Sequence, residues 1–565
     1  MKMRSIGFIV AWMAIGGFVA GAQAPTKPPA ATAKIAGRIV AADTGKPLRR
    51  AAVTLIANPS KTTRVTVTDG DGRYEFSSLP PGRYGVRPDK QGYVVISPDP
   101  FSTGTGVELS EGEVADRTDF ALPRGSVITG RITDEFGEPM AGVMVQAARY
   151  QFRPSGQRQL MGGSFNNFTM PSVTNDRGEY RIFGLRPGSY YVSARTIDTS
   201  EVIALAQSGG PGIGALDSND GLATTYYPGT ASVAEAQPIR VELMRQASAS
   251  FTLVPARMSH VSGMVRDSQG QPLSGSRVSL RSTSAIAAWF GNATTQLSSA
   301  GTFTMANVAP GDYILDVWPN AATSSAGRQP RPNEFASLPL VVSGEDVDLT
   351  ITTALGISVS GRVIFEGKSD EARQVVRISA MPEEDARNVV AMVMGDAVAV
   401  EADGRFHIPG VFGKVVFRAG FLPQNVMLKA VRLNGVDITN TPLDATGTED
   451  ITNLEVVLVD QQSRLVAYAK NARGEIQYNF RFIVYPANPK PGDVTVRFQH
   501  NASPSNTGQI NIGRMPPGEY VGLAVHGVQP GEEWDPELRK RIVQFGKRFT
   551  LREGETLQMD VPYVE

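Results

Sequence analysis

Apolar and polar residues alternate in short runs along most of the chain, and turns rich in glycine and proline separate the runs. In one run, Tyr74 and Phe76 alternate with Arg73 and Glu75. Because successive side chains of a β-strand point to opposite faces, this pattern places both rings on one face and both charges on the other. Few windows keep the three-and-four apolar spacing of an amphipathic helix. The pattern predicts short half-buried strands and an all-β fold.

A four-part unit recurs along the chain. It opens with a strand that contains a glycine, continues through a turn that ends in proline in the first three copies, and closes with two alternating strands. The first of these strands follows a turn glycine and the second follows a Pro-Gly turn, although the fourth copy lacks that proline. Nearly constant spacing over unlike sequence is typical of a repeated supersecondary unit. The paired glycines, ten residues apart in four copies and nine in the fourth, are Gly72 and Gly82, Gly178 and Gly188, Gly301 and Gly311, Gly404 and Gly413, and Gly508 and Gly518.

The repeat has the length of a whole domain. The second glycines of successive copies lie 106, 123, 102 and 105 residues apart, and one seven-stranded sandwich takes roughly 100 residues. The sequence therefore predicts about five tandem immunoglobulin-like β-sandwiches with few contacts between non-neighbours. The predicted segments are a signal peptide at 1–22, a Pro-rich linker at 23–33, and sandwiches at 34–123, 124–256, 257–355, 356–461 and 462–565.

The first copy carries a resemblance to a known family. Gly37 lies in the opening strand, a Gly-x-Pro turn ends at Pro47, and Tyr74 and Tyr84 lie in the two alternating strands. This order resembles the carboxypeptidase regulatory-like domain. The second copy matches equally, the third keeps the frame, and the last two keep mainly the second hairpin. The resemblance implies prealbumin-like or carbohydrate-binding-like sandwiches, used as accessory or spacer modules in exported proteins, with no catalytic residue to transfer.

The N-terminus has the three parts of a secretory signal peptide. Lys2 and Arg4 form a positive first region, residues 6–20 form an uncharged apolar run, and small residues at 20–22 offer a cleavage site. The alternative is an uncleaved membrane anchor, but the run is shorter than the roughly 20 residues that a bilayer span needs. We expect a secreted or periplasmic protein of the cell envelope, cleaved before Gln23 and without a membrane span thereafter.

Charge and cysteine content narrow the function classes. Lysine and arginine together number 55, and so do aspartate and glutamate. No global positive field therefore exists to attract phosphates, and nucleic-acid binding is not expected. The chain contains no cysteine, which excludes disulfides, metal-thiolate sites, a cysteine nucleophile and a lipoprotein anchor. An exported protein without disulfides is typical of a bacterial envelope.

No motif for catalysis, a metal or a cofactor is found in the sequence. The four histidines, His260, His407, His500 and His526, lie far apart and outside any metal-ligand spacing. A Gly-x-Ser-x-Gly elbow and a phosphate-binding loop are also missing. The sequence therefore predicts a non-enzymatic protein with no catalytic residues and no cofactor, and an enzyme with scattered catalytic residues is the disfavoured alternative.

Two local features have competing interpretations. Asp69 and Asp71 lie close together in a turn, as the first ligands of a calcium site do, but the equivalent turn carries Asn175 and hairpin turns favour Asp, Asn and Gly on conformational grounds. We favour the turn. Asp535 and Pro536 predict the start of a short helix, whose arginines and lysines form a solvated face.

Aromatic residues outside the repeating strands are the candidate binding residues. Tyr226 and Tyr227 in copy two, and Trp289 and Phe290 in copy three, lie in loop-like stretches. Exposed rings in such loops stack on the apolar faces of sugars. In the alternative, these rings fold back over the edge of the core.

Two functions remain after these exclusions. The first is a binding or adhesion module of the cell envelope, whose sandwiches present loops to a carbohydrate (glycan) or to an envelope protein. The alternative is a structural spacer or periplasmic assembly component with no specific small ligand. The sequence contains no signal for the identity of the partner or for the oligomeric state.

Overall fold

The computed structural model describes residues 32–58, 62–95, 105–152, 158–162, 171–196, 220–283, 292–319, 334–367, 376–382, 397–423, 426–446, 449–478, 480–488, 500–505, 507–528 and 531–564. Within these ranges the chain consists mainly of β-strands, together with helix α1, Pro536–Phe545, and the 3-10 helices Val233–Glu235 and Glu532–Trp534. The all-β prediction is confirmed. Five stretches each enclose a buried apolar cluster, and we call them modules 1 to 5 in chain order.

Module 1 is a sandwich of two sheets. Its strands are β1 Ala33–Ala41, β2 Ala52–Asn58, β3 Thr63–Val67, β4 Arg73–Leu79, β5 Gly82–Asp89, β6 Thr105–Leu109, β7 Val114–Ala115 and β8 Phe120–Leu122. One sheet has the order β4-β1-β7 with β8 also paired to β1, and the other has the order β3-β2-β5-β6. Tyr74 and Phe76 are buried in the core while Arg73 and Glu75 are exposed, as their alternation predicts.

Module 2 repeats this plan with additional short strands. Its strands are β9 Ser126–Thr133, β10 Met144–Phe152, β11 Arg158–Gly162, β12 Ser172–Val173, β13 Glu179–Leu185, β14 Gly188–Arg195, β15 Asp220–Leu222, β16 Thr225–Tyr226, β17 Ile239–Val241, β18 Gln246–Ser248, β19 Phe251–Thr252 and β20 Pro255–Arg257. One sheet has the order β13-β9-β18 with β19 on β9. The other has the order β11-β10-β14-β16, with β12 on β10 and β17 on β14, and β15 pairs with β20.

Modules 3 and 4 also have two sheets each. The strands of module 3 are β21 Ser259–Arg266, β22 Ser276–Ser282, β23 Asn292–Gln296, β24 Thr302–Val308, β25 Gly311–Pro319, β26 Glu334–Val342, β27 Val347–Thr352 and β28 Ala354–Leu355. Those of module 4 are β29 Ile357–Glu366, β30 Arg377–Pro382, β31 Val398–Ala399, β32 Arg405–Val411, β33 Lys414–Gly420, β34 Met427–Leu433, β35 Val436–Asp437, β36 Leu443–Asp444 and β37 Ile451–Val459. The sheet orders are β24-β21-β27 and β23-β22-β25-β26-β28 in module 3, and β32-β29-β37-β34-β35 and β31-β30-β33-β36 in module 4.

Module 5 joins its strands into one continuous sheet. They are β38 Ser463–Lys470, β39 Arg481–Pro486, β40 His500–Ala502, β41 Gln509–Met515, β42 Gly518–Val525, β43 Lys547–Leu551 and β44 Thr556–Val564. The order is β40-β39-β42-β44-β38-β41, with β43 on β42. Helix α1 covers the outer face of this sheet through Leu538 and Ile542. As predicted, the helix begins at Pro536, and the Asp535 carboxylate accepts a hydrogen bond from the Glu537 amide.

One pairing scheme recurs in all five modules. The opening strand lies antiparallel to the first alternating strand and parallel to the closing strand. These trios are β1 with β4 and β8, β9 with β13 and β18, β21 with β24 and β27, β29 with β32 and β37, and β38 with β41 and β44. The sequence repeat is therefore a repeat of strand pairing.

The glycine of the opening strand is required where the closing segment crosses it. In modules 1 to 4 a Cβ at this position would lie only 2.0–2.2 Å from a main-chain carbonyl oxygen of that segment. An aromatic side chain also faces each glycine from the first alternating strand. The crossings are Gly37 at Thr118, Gly130 at Ala249, Gly263 at Leu349 and Gly361 at Leu454. In module 5 the pair is Ala467 and Ile510 instead.

A tyrosine closes the Pro-Gly turn in four modules. Its hydroxyl donates a hydrogen bond to the carbonyl oxygen four residues earlier, at 2.5–2.8 Å. These pairs are Tyr84 with Pro80, Tyr190 with Arg186, Tyr313 with Ala309, and Tyr520 with Pro516. Module 4 has Val415 at this position, and it is also the copy whose turn lacks proline. The proline and the tyrosine are therefore lost together.

Candidate binding site

The tyrosines predicted as an exposed platform lie against the core of module 2. Tyr226 belongs to β16, is 3% exposed and contacts a small apolar cluster with Ala148 and Leu160. Burial raises the pKa of its phenol to about 12. The Tyr227 ring is half-buried and packs edge-on against Phe251, with ring centroids 6.1 Å apart. Residues 225 and 226 add a strand to β14, so this stretch is paired to the sheet.

The other two predicted binding residues, Trp289 and Phe290, lie outside the described residues. The Asp69 turn is described, and it has the geometry of a side-chain-capped hairpin turn. The Asp69 carboxylate accepts hydrogen bonds from the backbone amides of Asp71 and Arg73, at 2.9 and 2.8 Å. The Asn175 side chain caps its own turn in the same way. This capping explains the residue choice without a bound ion.

A cleft of about 770 Å³ lies on module 2, at the end of the sheet that contains β10 and β14. Its walls include Arg149 and Tyr150 from β10, Arg158 from β11 and Tyr191 from β14. The second half of β10 extends beyond the fully buried core, so its side chains are only half-buried. Strand pairing therefore places polar and aromatic side chains from three adjacent strands around one concave surface.

Stacked side chains organise the aromatic part of the cleft. The Arg158 guanidinium carbon lies 4.0 Å from the centroid of the Tyr150 ring, which is a close cation–π contact. Tyr150 and Tyr191 pack edge to face, with ring centroids 4.9 Å apart and an interplanar angle of 80°. Both phenol rings keep part of their surface open to solvent. The arrangement offers flat apolar surface beside a charged donor.

The Arg149 guanidinium packs against Tyr190 and Gly188. Its central carbon lies 5.3 Å from the centroid of the Tyr190 ring. A Cβ on Gly188 would lie 2.6 Å from a terminal nitrogen of Arg149, so glycine leaves the room that the guanidinium occupies. Burial raises the pKa of Tyr190, whereas the charge and hydrogen bond of Arg149 act in the opposite direction. Contacts with Gly188 and Tyr190 therefore hold the Arg149 guanidinium in position.

Two further arginines, Arg186 and Arg87, lie close enough to this region to interact electrostatically. Burial lowers the pKa of Arg186, and the like charges of Arg149 and of Arg87 from module 1 lower it further, although Tyr190 opposes this. Arg240 adds a guanidinium to the lining itself. Two carboxylates, Glu242 and Glu532, share the lining. Arginines therefore outnumber acids around this surface, in a chain whose charges otherwise balance.

Module 5 supplies one wall of the cleft. Glu532 lies in the 3-10 helix Glu532–Trp534, and a Cβ on the neighbouring Gly531 would meet the Gln151 side chain at 2.8 Å. The expectation of few contacts between non-neighbouring modules does not hold here. The repeat pattern does not contain this 3-10 segment, so the pattern carries no signal for the contact.

Buried charges fix the module 5 wall. Arg481 is fully buried in β39, and its guanidinium lies 3.8 Å from a carboxylate oxygen of Glu533. The other carboxylate oxygen of Glu533 accepts a hydrogen bond from the Gly531 amide at 2.6 Å. The Tyr485 hydroxyl donates to the Glu533 carbonyl. These contacts orient residues 531–533 and hence Glu532.

The described residues provide no cluster of three or more histidine, aspartate or glutamate side chains suited to a metal ion. Over the same ranges, no helix is long and apolar enough to cross a membrane. The cleft lining combines guanidinium donors with aromatic rings.

Sequence reasoning missed the cleft residues. Tyr190 and Tyr191 belong to a predicted alternating strand, whereas Arg149 and Tyr150 lie beyond the repeat pattern. The available signal was the continuation of aromatic and charged residues past the buried half of β10. Local pattern could not indicate that Glu532 would join them.

Comparisons with known proteins gave one family match and several distantly similar solved structures. A search of curated protein sequences gave no match. Among solved structures, a streptococcal ancillary pilin aligns over 57% of this chain and 98% of its own at 10% identity and a TM-score of 0.20. The minor pilin GBS52 of Streptococcus agalactiae aligns over 40% of this chain and 95% of its own, at 14% identity and a TM-score of 0.18. The shaft pilin SpaA of Lactobacillus rhamnosus GG aligns over 40% of this chain and 97% of its own, at 10% identity and a TM-score of 0.20.

TM-scores of this size do not establish a common fold over the aligned lengths. The family comparison is more specific, because it falls on one module and on the residues that carry the resemblance. Residues 34–123, which include Gly37, Tyr74 and Tyr84, match the carboxypeptidase regulatory-like domain.

Proposed function

We propose that the protein is a non-enzymatic, exported binding protein of the cell envelope, and that the cleft on module 2 binds carbohydrate. The observation that carries this proposal is the combination of half-open Tyr150 and Tyr191 rings with the seated Arg149 guanidinium. Sugars present apolar faces to aromatic rings and hydroxyls to charged donors. The cleft volume of about 770 Å³ accommodates a few sugar units.

A glycan-array screen of the chain from residue 23 onward tests the proposal. We expect selective binding of a saccharide class that Tyr191→Ala reduces by about tenfold or more, as the loss of one stacked ring does. The matched control is Phe136→Ala, because Phe136 is 83% exposed on module 2 and does not line the cleft. Circular dichroism confirms that both variants fold.

Three outcomes of the screen have different meanings. Loss of binding in Tyr191→Ala alone supports the cleft. Loss in Tyr227→Ala, with Tyr191→Ala unchanged, would place the site at the stretch that the sequence predicted. No selective binding by the parent chain would contradict the proposal and favour a spacer.

The spacer function is the second candidate, because one junction between modules has specific contacts. Lys429 of module 4 bridges Glu366 of its own module at 2.7 Å and Glu553 of module 5 at 2.9 Å. The Arg514 guanidinium donates to the Pro423 carbonyl across the same junction at 3.0 Å. These contacts fix the arrangement of modules 4 and 5, as a structural component requires. A fixed arrangement is also compatible with ligand binding, so the glycan-array screen, and not this junction, separates the two functions.

A further inference from the structure

The charge of the cleft indicates which saccharides it prefers. Arg149, Arg158 and Arg240 line it, against Glu242 and Glu532. Neutral sugars need no excess of guanidinium groups, whereas a carboxylate pairs with the guanidinium fork through two parallel hydrogen bonds. The arginine excess therefore favours a ligand that carries negative charge.

Two of these guanidinium groups are held by packing. Arg149 lies against Gly188 and the Tyr190 ring, and the Arg158 guanidinium carbon lies 4.0 Å from the centroid of the Tyr150 ring. A held guanidinium loses less conformational entropy on binding than a free one. The like charges of Arg149 and Arg87 around Arg186 also indicate that an anion would relieve repulsion at this surface.

One of the two carboxylates in the cleft lining comes from a distant part of the chain. Glu532 comes from module 5, almost 300 residues after the last lining residue of module 2. The buried Glu533 and Arg481 fix the segment from which it projects. Glu532 therefore adds a carboxylate to the same lining as the arginines, where it would compete with a carboxylate of a ligand.

We infer that the cleft binds an acidic saccharide, a chain of sugar units bearing carboxylates, with a carboxylate at the cleft arginines and a sugar ring beside Tyr191. This inference rests on the proposed function and adds the ligand class. Glu532 acts as an internal competitor that weakens the binding of such a ligand.

Titration calorimetry of the full chain from residue 23 onward tests the inference. The probes are a trimer of galacturonic acid and the neutral galactose trimer with the same linkage. We expect the acidic trimer to bind at least about tenfold more tightly at low salt. Arg149→Gln and Arg158→Gln should each weaken acidic binding by about tenfold and weaken neutral binding by a smaller factor, because a neutral sugar loses only a hydroxyl contact. Glu532→Gln should strengthen acidic binding by a few-fold.

The control is Arg131→Gln, because Arg131 is exposed on β9 of the same module and does not line the cleft. Equal weakening by Arg131→Gln would mean unspecific attraction and would overturn the inference. Equal affinity for both trimers, insensitive to Arg149→Gln and Arg158→Gln, would overturn it while leaving carbohydrate binding intact. Failure of both trimers, together with an empty glycan array, would remove the proposed function as well.

Discussion

Modules 1 and 5 have the same strand pairing. They differ in the residues at the point where the closing segment crosses the opening strand. In module 1, Gly37 faces Tyr74, and the Tyr74 hydroxyl donates to the Thr118 carbonyl at 2.5 Å. In module 5, Ala467 faces Ile510, which has no hydroxyl. The comparison teaches that the glycine and the aromatic residue form a matched pair, because the ring draws the closing backbone to a distance that only a glycine permits.

Module 5 stabilises its crossing by other means. Its strands join into one sheet, and helix α1 covers the outer face of that sheet through Leu538 and Ile542. Module 1 has no helix in its described residues. Added apolar burial therefore accompanies the loss of the glycine and the tyrosine hydroxyl.

The largest effect is expected from Gly37→Ala. A Cβ there would lie 2.0 Å from the Thr118 carbonyl oxygen, which is main chain and cannot rotate away. We expect module 1 to lose about 3 kcal/mol of unfolding free energy. Hydrogen exchange of module 1 peptides in rising guanidinium, read by mass spectrometry, measures this. The matched change Ala467→Gly in module 5 should cost only about 1 kcal/mol. An equal loss of unfolding free energy in the two variants would show that the glycine is no more necessary in module 1 than the alanine is in module 5.

A smaller effect is expected from Tyr74→Phe. The substitution keeps the ring and removes the hydroxyl, leaving the buried Thr118 carbonyl without this donor. We expect a loss of about 1.5 kcal/mol in module 1. Module 3 already has Phe303 at the equivalent position, so Phe303→Leu tests the ring alone. If Tyr74→Phe leaves the exchange of module 1 unchanged, the hydroxyl does not hold the closing segment.

Alkaline pH should separate modules with a crossing tyrosine from module 4, which contains no tyrosine. Burial raises the pKa of Tyr74 and of Tyr180. Since the folded pKa exceeds the unfolded value of about 10, this contribution is complete below pH 10 and is lost as the pH rises further. We expect modules 1 and 2 to lose about 1 kcal/mol at pH 11 relative to pH 9. An equal loss of unfolding free energy in all five modules, including module 4, would argue against titration of these phenols as the cause.

The sequence predicted the strands and their faces because those depend on neighbours one or two positions away. Tyr74 and Phe76 lie in the core for this reason. The need for glycine at Gly37 was not predictable, because the clashing Thr118 carbonyl is far along the chain. Tyr226 was assigned to an open loop, since a two-residue strand has too little pattern to detect.

The cleft was still less accessible to sequence reasoning. Arg149 and Tyr191 come from different strands, and pairing brings them together. Glu532 joins them from a 3-10 segment outside the repeat. Repeats reveal what all copies share, whereas this site depends on segments that only modules 2 and 5 add to the shared unit.

The smallest expected change in stability lies at the junctions that join module 1 to module 2 and module 5 to module 4. Module 1 joins module 2 through backbone contacts, including a hydrogen bond from the Gly125 amide to the Gly92 carbonyl at 2.9 Å. Module 5 joins module 4 partly through Lys429, whose hydrogen bonds to Glu366 and Glu553 raise its pKa. The raised pKa means that this contribution is present at neutral pH and is lost only as the pH rises past the ordinary lysine value of about 10.4.

We expect Lys429→Met to weaken the junction between modules 4 and 5 by less than about 1 kcal/mol, because the side chain is partly exposed and water screens the pair. Hydrogen exchange at the junction should rise in this variant at low salt, and the difference should vanish at about 1 M salt. Lys540→Met is the control, since Lys540 pairs with Glu537 inside α1 and touches no junction. Salt should weaken the junction between modules 1 and 2 less, because its backbone hydrogen bond persists when salt screens the Asp43–Arg124 ion pair, whose N–O distance is 3.5 Å. If salt instead loosens both junctions equally, backbone contacts do not distinguish the attachment of module 1 from that of module 5.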